Sequence, residues 1–339
     1  MPAEWEPHAA VWVAWPHDPE TWPGCLEAAE REFRALVEVL FSSEPVNILV
    51  QGHEHARHVH PQLASLDGSQ ALQLHEVVTD DAWLRDTGPT FVEDSEEGLL
   101  ALDWTFNSWG GKYPPWDRDD AVARELAALA KVKSQRVGLV IEGGSLEVDG
   151  EGTLLATEST LLNPNRNPGI AREELEQKLE NLIGAQHIVW LEGGIQGDDT
   201  DGHVDQIARF VTPGRVVCAR ELDASDPNHE PLEHCHARLR AARDARGRAF
   251  EVIDLPLPPP LEANGARLPA SYANFYVSNR VVIVPLFDAP TDAEALRLLG
   301  DLFPGRAVRG VACRTLVRGL GSVHCLTQQQ PAIRRGLDP

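Results

Sequence analysis

Apolar positions three or four apart recur along the chain in blocks, and each block is followed by a short continuous apolar run. Leu26–Phe41 (LEAAEREFRALVEVLF) shows the spacing first. Asp119–Lys131, AREELEQKLENLI ending before Gly184, PLEHCHARLRAARDARG from Pro231, and Asp292–Phe303 repeat it. That period gathers apolar side chains on one helical face. Gly184 stands where a helix ending in the left-handed conformation places its glycine. The runs that follow read as strands: Val46–Val50, Arg136–Ile141, His187–Leu191, Phe250–Leu255 and Ala307–Ala312. Beyond each lies a loop and then, four times over, two β-type runs joined by a tight turn: GPTFVEDSEEGLLALDW, GSLEVDGEGTLLATE, HVDQIARFVTPGRVVCAR and YANFYVSNRVVIVPLF.

The fifth hairpin is incomplete, because His324–Gln329 (HCLTQQ) is followed only by a tail containing Pro and Arg. Ala9–Trp15 is a strand with no helix before it. Pairing these two segments closes a ring. The pattern therefore predicts one domain over residues 1–339. Its expected fold is α/β, a five-bladed propeller whose units, each a helix plus about three strands, repeat every 55–70 residues or so. An open α/β sheet with chance spacing is the alternative. The proline-rich Asp254–Gly265 reads as a loop inside the fourth unit, since the unit continues beyond it.

Composition narrows the setting. Hydrophobic content is 42% and charged content 24%, as in ordinary globular proteins. No apolar run approaches the roughly 18 residues of a membrane span. The opening MPAEWEPH lacks the apolar stretch of a secretory signal, so the expected location is the cytoplasm. Thirty Lys+Arg against 52 Asp+Glu give a formal charge of −22. Such a surface repels nucleic acid and anionic membrane, so neither is an expected partner, and it attracts cations such as a guanidinium or a polyamine. The cysteines are Cys25, Cys218, Cys235, Cys313 and Cys325. Their odd number and the lack of a CxxC pair argue against a disulfide framework and a structural zinc site.

Residues able to do chemistry gather at the entry to each hairpin. They are Trp83-Leu84-Arg85-Asp86, Glu142-Gly143-Gly144, Asp201-Gly202-His203-Val204-Asp205, Ser271-Tyr272-Ala273-Asn274 and Gly321-Ser322-Val323-His324-Cys325. In a ring these equivalent points converge and line one pocket. A cysteine thiolate is a strong nucleophile. Histidine moves protons near neutral pH. Two carboxylates can grip a planar guanidinium through paired charge-assisted hydrogen bonds. His203 and Asp205, two apart on an expected strand, would share one face. Taken singly, Cys325 reads as a small core residue and Glu142 as a turn former; their common placement singles them out.

Rival motifs fail on spacing. A calcium loop drawn around Asp198–Gly202 would need Gly197 at its first position and Ala208 at its twelfth. Gly143-Gly144-Ser145-Leu146-Glu147 lacks the last glycine of a serine-hydrolase elbow. His53, His55, His58 and His60 could bind a metal, although a solvated or partly helical stretch accounts for them as well.

With these residues in view, the chain resembles the agmatine deiminase family, relatives of the Porphyromonas-type peptidylarginine deiminases in the guanidino-group-modifying (pentein) superfamily. The resemblance covers almost the whole chain through MPAEWEPHAAVWVAWP, DAWLRDTGPTFV, FNSWGGKYPPWDRDD, EGGSLEVDGEGTLLATE, LLNPNRNP, DDTDGHVDQIARF, SYANFY and HCLTQQQP. It implies the same five-bladed propeller. It also implies Cys325 as nucleophile, His203 as general acid/base, Asp86 and Asp205 as a guanidinium clamp, Glu142 as the acid that orients His203, and Trp83 as a pocket wall. Gly321 beside the nucleophile, and Arg85 as a partner for a substrate carboxylate, complete the expected substrate-binding set. No metal or organic cofactor is implied; a homo-oligomer, a dimer, is. The implied reaction hydrolyses agmatine to N-carbamoylputrescine and ammonia through a covalent amidino-thioether on Cys325, a step toward putrescine and the polyamines. Deimination of peptidyl-arginine or free arginine, a metal-dependent hydrolase using His203 and Asp205, and a silent scaffold are the alternatives. Two places depart from the family pattern. Gly319-Leu320-Gly321-Ser322-Val323 stands where a glycine triplet and Asn-Ile are usual, and Ala82 stands where a serine is.

Overall fold

In the computed structural model, which describes residues 1–66 and 71–332, the apolar runs pair into sheets and the amphipathic blocks cover them. The first sheet starts with β1 (His8–Ala14), β2 (Val46–Val50) and β3 (Leu72–Glu76), which run parallel. Helix Leu26–Phe41 makes the first crossover and a helical stretch, His53–Leu66, the second. Four further groups follow in chain order: β4 (Thr90–Asp94), β5 (Gly98–Thr105) and β6 (Lys133–Val140); β7 (Glu147–Val148), β8 (Thr153–Thr157) and β9 (His187–Leu191); β10 (Ala208–Thr212), β11 (Arg215–Arg220) and β12 (Glu251–Pro256); and, after a short ribbon of β13 (Glu262–Ala263) and β14 (Ala266–Arg267), β15 (Tyr276–Val277), β16 (Val281–Leu286) and β17 (Ala307–Ala312). In each, the first two strands form an antiparallel hairpin and the third adds in parallel. The last strand, β18 (Thr327–Pro331), returns to the first sheet and pairs antiparallel with β1, from His8↔Pro331 to Val13↔Thr327. The chain is a mixed α/β fold whose two end strands are hydrogen-bonded neighbours.

The order of pairing has a physical cause. Two adjacent parallel strands need a crossover, and a helix lying on the sheet supplies it. The strand after each helix therefore pairs with the hairpin before that helix. The expected unit, in which helix and strand lead into the following hairpin, is out of phase with the sheets by one hairpin. The crossover helices bury their apolar stripe: Ala29, Phe33, Leu36, Val37 and Leu40 in the first, and Leu175, Leu179 and Ile183 in Arg172–Ile183, which ends on Gly184 at φ 75°.

Other boundaries move as well. The helix placed from Pro231 spans His229–Ala241. The proline-rich loop begins within β12 and contains β13, whose ribbon partner β14 follows directly after Gly265. Residues His324 and Cys325 lie in a turn before β18 rather than in the strand. Likewise His203 and Asp205 are not on a strand: Val204–Gln206 is a single 3-10 turn with His203 at its N-cap. A three-residue turn carries no periodicity from which it could be told from a strand start. The His53–His60 segment is helical through Val59, and its side chains take separate partners: His58 pairs with Glu30 at 2.8 Å and His53 with Glu76 at 3.7 Å.

Candidate active site

The five hairpin entries are tight turns: helical at Leu84–Thr87, 3-10 at Gly143–Ser145 and Val204–Gln206, and irregular around Ser271–Asn274 and Ser322–Cys325. Each touches the next. Gly144 N donates to Asp86 Oδ1 at 2.9 Å. His203 Nε2 stands 3.7 Å from Glu142 Oε2. Ser271 Oγ donates to the Gln206 carbonyl at 2.8 Å, and His324 N to the Asn274 carbonyl at 3.0 Å. Arg85 N donates to the Cys325 carbonyl at 3.1 Å, which joins the fifth turn to the first. Sequence-distant side chains thus meet in one buried cluster: Asp86, Glu142, His203, Asp205 and Cys325 are all 6% exposed or less.

Two carboxylates flank the cluster. Asp86 Oδ2 accepts the Trp109 indole N–H at 2.9 Å, and its Oδ1 lies 3.7 Å from His203 Nδ1. Burial raises the Asp86 carboxyl above its ordinary range; His203 pulls it down, while Asp205 and Glu142 push it up again. Asp205 Oδ2 accepts from His324 Nδ1 at 2.7 Å and Asn274 Nδ2 at 3.2 Å. Burial opposes the Asp205 charge but is outweighed by His324, so this carboxyl lies below its ordinary value. Glu142 is also lowered: burial is outweighed by His203 and by Arg166, whose Nε donates to Glu142 Oε1 at 2.6 Å.

His203 sits among these acids with neither ring nitrogen hydrogen-bonded. Burial disfavours its charge, yet Asp86, Glu142 and Asp205 outweigh burial and carry it up to about 9. Burial, then Asp205 and Asp86, push the Cys325 thiol well above its ordinary value. At neutral pH the site therefore pairs a protonated imidazole with a neutral thiol, amid carboxylates that favour an incoming cation. Asn274 is the thiol's closest polar neighbour. Its Oδ1 accepts from Ser322 Oγ at 2.8 Å, His324 N at 3.0 Å and Cys325 N at 3.3 Å, which turns its Nδ2 toward Cys325 Sγ at 3.1 Å. Three donors on one oxygen settle the amide's orientation.

Trp83, Asp86, Gly321 and Cys325 line a cavity of about 690 Å³. Trp109, Tyr113 and Trp116 add aromatic walls, and Asp18, Glu20, Asp80, Asp81, Asp119 and Asp199 make its surround acidic. Trp83 packs on the chain at residues 319–321. A Cβ on Gly321 would come within 2.4 Å of the indole, so only glycine lets the backbone approach this closely. Leu320, between the two glycines, holds φ 72° and also lines the cavity. Glu142, His203 and Asp205 stand behind this lining.

Arg85 is the expected substrate-binding residue that the fold turns away. It is 3% exposed and absent from the cavity wall. Its guanidinium serves Gln329 Oε1 at 2.7 Å, the His324 carbonyl at 3.3 Å and Glu4 at 3.5 Å. Four neighbours had no assigned role in the sequence: Trp109, Arg166, Asn274 and His324. Each lies in a quoted motif, and Asn274 and His324 lie at hairpin entries, the signal that marked the others. Among the described residues, no three or more His, Cys, Asp or Glu groups come together as a metal-holding set.

The family model for Porphyromonas-type peptidyl-arginine deiminase matches residues 1–331. An agmatine deiminase of Stutzerimonas stutzeri (strain A1501) is 42% identical over 355 residues, spanning 98% of this chain and 95% of that protein. Among solved structures, the agmatine deiminase of Enterococcus faecalis, described as catalysing its reaction, is 34% identical with a TM-score of 0.91, covering 98% of this chain and 95% of its own. A cysteine-to-serine variant of the C. jejuni agmatine deiminase, with substrate bound, is 30% identical with a TM-score of 0.89, covering 99% and 96%.

Proposed function

The chain belongs to the Porphyromonas-type peptidyl-arginine deiminase family, and we propose that it hydrolyses agmatine to N-carbamoylputrescine and ammonia with Cys325 as nucleophile. The observation that carries the reading is one buried thiol set among Asp86, Asp205, Glu142 and a protonated His203, at the wall of an aromatic and acidic cavity. Relatives at about this distance are named agmatine deiminases over nearly their full length. The five turns in contact in sequence, the fifth back to the first, support a five-bladed propeller with these residues on its axis.

A guanidinium carbon is a weak electrophile, because its charge is spread over three nitrogens. Asp86 and Asp205 bind N–H groups on either side and fix the carbon against Cys325 Sγ. Such positioning can supply up to ~7–11 kcal/mol of the barrier. The substrate's charge also offsets the carboxylates that hold the thiol protonated, so on binding that proton passes to solvent and leaves the thiolate. Asn274 Nδ2, already 3.1 Å from Sγ, donates to it. The thiolate adds to the guanidinium carbon and forms a C–S bond. The imidazolium of His203 gives its proton to the departing nitrogen, the C–N bond breaks and ammonia leaves. An amidino-thioether remains on Cys325. His203, now neutral, takes one proton from water as the oxygen attacks the same carbon; collapse forms the C=O, breaks the C–S bond and passes the remaining hydroxyl proton to the departing sulfur, which frees the ureido product and restores the Cys325 thiol. Glu142, held by Arg166, stabilises the imidazolium through both halves of the cycle.

The test is incubation with agmatine, with ammonia and ureido product assayed together. Wild type should turn over, Cys325→Ala should lose all but background, and arginine and a blocked arginyl peptide should be poorer substrates. A Cys325→Ala variant with the wild-type rate would remove the thiol from the mechanism.

A further inference from the structure

Behind the reacting groups lies a second layer of buried charge. His324 precedes the nucleophile, and both of its ring nitrogens meet carboxylate oxygens: Nδ1 is 2.7 Å from Asp205 Oδ2 and Nε2 is 2.8 Å from Glu4 Oε2. All three residues are buried. Glu4 is itself fixed from other elements. Its Oε1 accepts the Val277 N–H at 2.7 Å and pairs with Arg209 Nη2 at 3.0 Å, and Arg85 Nη2 stands 3.5 Å from its Oε2. Arg209 is anchored in turn by Glu147 at 2.7 Å and by the Ala273 and Phe275 carbonyls.

The consequence falls on Asp205. Its Oδ2 is engaged by His324 and Asn274 and faces the Cys325 thiol at 3.7 Å. Its Oδ1 is buried without a hydrogen-bond partner. The carboxylate is therefore held in one rotation, with Oδ2 facing the thiol and Oδ1 without a partner among the described residues. A bare buried carboxylate oxygen is what a guanidinium N–H requires.

We propose that His324 and Glu4 are positioning residues of the deimination reaction, a buried Glu4–His324–Asp205 line that fixes the Asp205 carboxylate beside Cys325 for the substrate guanidinium. The proposal rests on the reading of Asp205 as a guanidinium partner. It makes a residue of the N-terminal segment a working part of the site. His203 and Arg209 also face Asp205, as do Cys325, Asp86 and Asp198; of these neighbours and His324, it is His324 whose ring makes a hydrogen bond to it. Losing His324 therefore leaves Asn274 as the remaining nitrogen donor to Oδ2 and removes the main influence holding this carboxyl below its ordinary range.

The experiment uses the full chain with His324→Gln, Glu4→Gln and both together, measuring kcat and KM for agmatine from acid to alkaline pH beside thermal melting. His324→Gln should lower kcat/KM about ten- to hundredfold, the range for a hydrogen bond to a charged group. The loss should come mainly through KM, and the acid limb should move to higher pH because Asp205 then takes up a proton more readily. Glu4→Gln should move the same limb the same way by less. The double variant should match His324→Gln within about twofold, because Glu4 acts through the imidazole. Variants that melt lower yet keep the wild-type KM and acid limb overturn the proposal and leave the line merely structural. If His324→Gln yields no folded protein, an unmoved limb in Glu4→Gln overturns it alone. Wild type that releases no ammonia from agmatine overturns the functional reading and this proposal together.

Discussion

Replacing Gly144 by alanine adds one carbon at the point where three side chains of the proposed active site converge. The backbone there is not left-handed, so alanine meets no conformational obstacle. The new Cβ would lie 2.6 Å from His203 Nδ1, 2.9 Å from Asp86 Oδ1 and 3.1 Å from Asp205 Oδ2. Ordinary contact begins near 3.4 Å, so the imidazole must retreat by about 0.8 Å and the Asp86 oxygen by about 0.5 Å. That oxygen is also the acceptor of the Gly144 N–H. A misplacement near 1 Å lowers rates by roughly 10², or ~2.7 kcal/mol in the barrier. Gly144→Ala should therefore lower kcat/KM by about two orders of magnitude. Stability should change little, because the ~0.4–1 kcal/mol gained from a less flexible unfolded chain offsets part of the crowding. The assay is ammonia release from agmatine over a substrate range, beside a thermal melt. Gly143→Ala is the control: its Cβ would lie 2.2 Å from the Arg85 carbonyl, a backbone clash, and should reduce folded protein instead. A folded Gly144→Ala enzyme within about threefold of wild type would refute the claim that these side chains work at this spacing.

Since His203 is carried up to about 9, kcat/KM should fall on the alkaline side with an apparent pKa near that value; a profile flat to higher pH counts against His203 as the acid. The same shift acts on stability. The folded state binds this proton more tightly than the unfolded chain, so the contribution is full below the unfolded value of ~6.5 and disappears as pH rises through about 9. Wild-type melting temperature should drop across that window more than that of His203→Gln. With its thiol held up by burial and two aspartates, free enzyme should be alkylated at Cys325 slowly near neutrality and faster with rising pH; a plateau already at neutral pH, followed by mass spectrometry, would mean a resting thiolate. Leu320→Gly relieves a left-handed strain of ~1–2 kcal/mol while adding unfolded-state freedom, so melting should barely move. The widened cavity should raise KM for agmatine several-fold relative to bulkier guanidines, and an unchanged substrate ranking refutes a wall role for Leu320.

Segments with strong, bounded apolar patterns were legible from sequence. Helix Leu26–Phe41 and strands Val46–Val50, His187–Leu191 and Ala307–Ala312 have the boundaries that their periodicity implies. Strand Leu72–Glu76 escaped notice because it is only partly buried and offers no apolar run. The site turns are three or four residues long, too short for any period, so strand and 3-10 turn could not be told apart at His203–Asp205. Which hairpin a strand joins depends on the crossover, a long-range choice. The direction of Arg85 was equally hidden: its partners Glu4 and Gln329 lie near opposite ends of the chain. The repeated hairpin entry marked Asp86, Glu142, His203, Asp205 and Cys325 together, and the fold brings them into one cluster. Trp109 lay outside that signal, and its indole reaches Asp86 from the short helical turn Ser108–Gly111, where its own backbone is left-handed.

The pairing of β1 with β18 sets a schedule for synthesis. A ribosome delivers Asp86, Glu142, His203 and Asp205 well before Cys325, and strand His8–Ala14 waits for Thr327–Pro331, more than 300 residues later. Bringing together strands this far apart costs loop entropy that only late contacts repay. Cys325 sits just ahead of that closing strand, and Glu4 just ahead of the strand it joins. On the proposed mechanism, competence therefore depends on the same pairing that joins the two end strands.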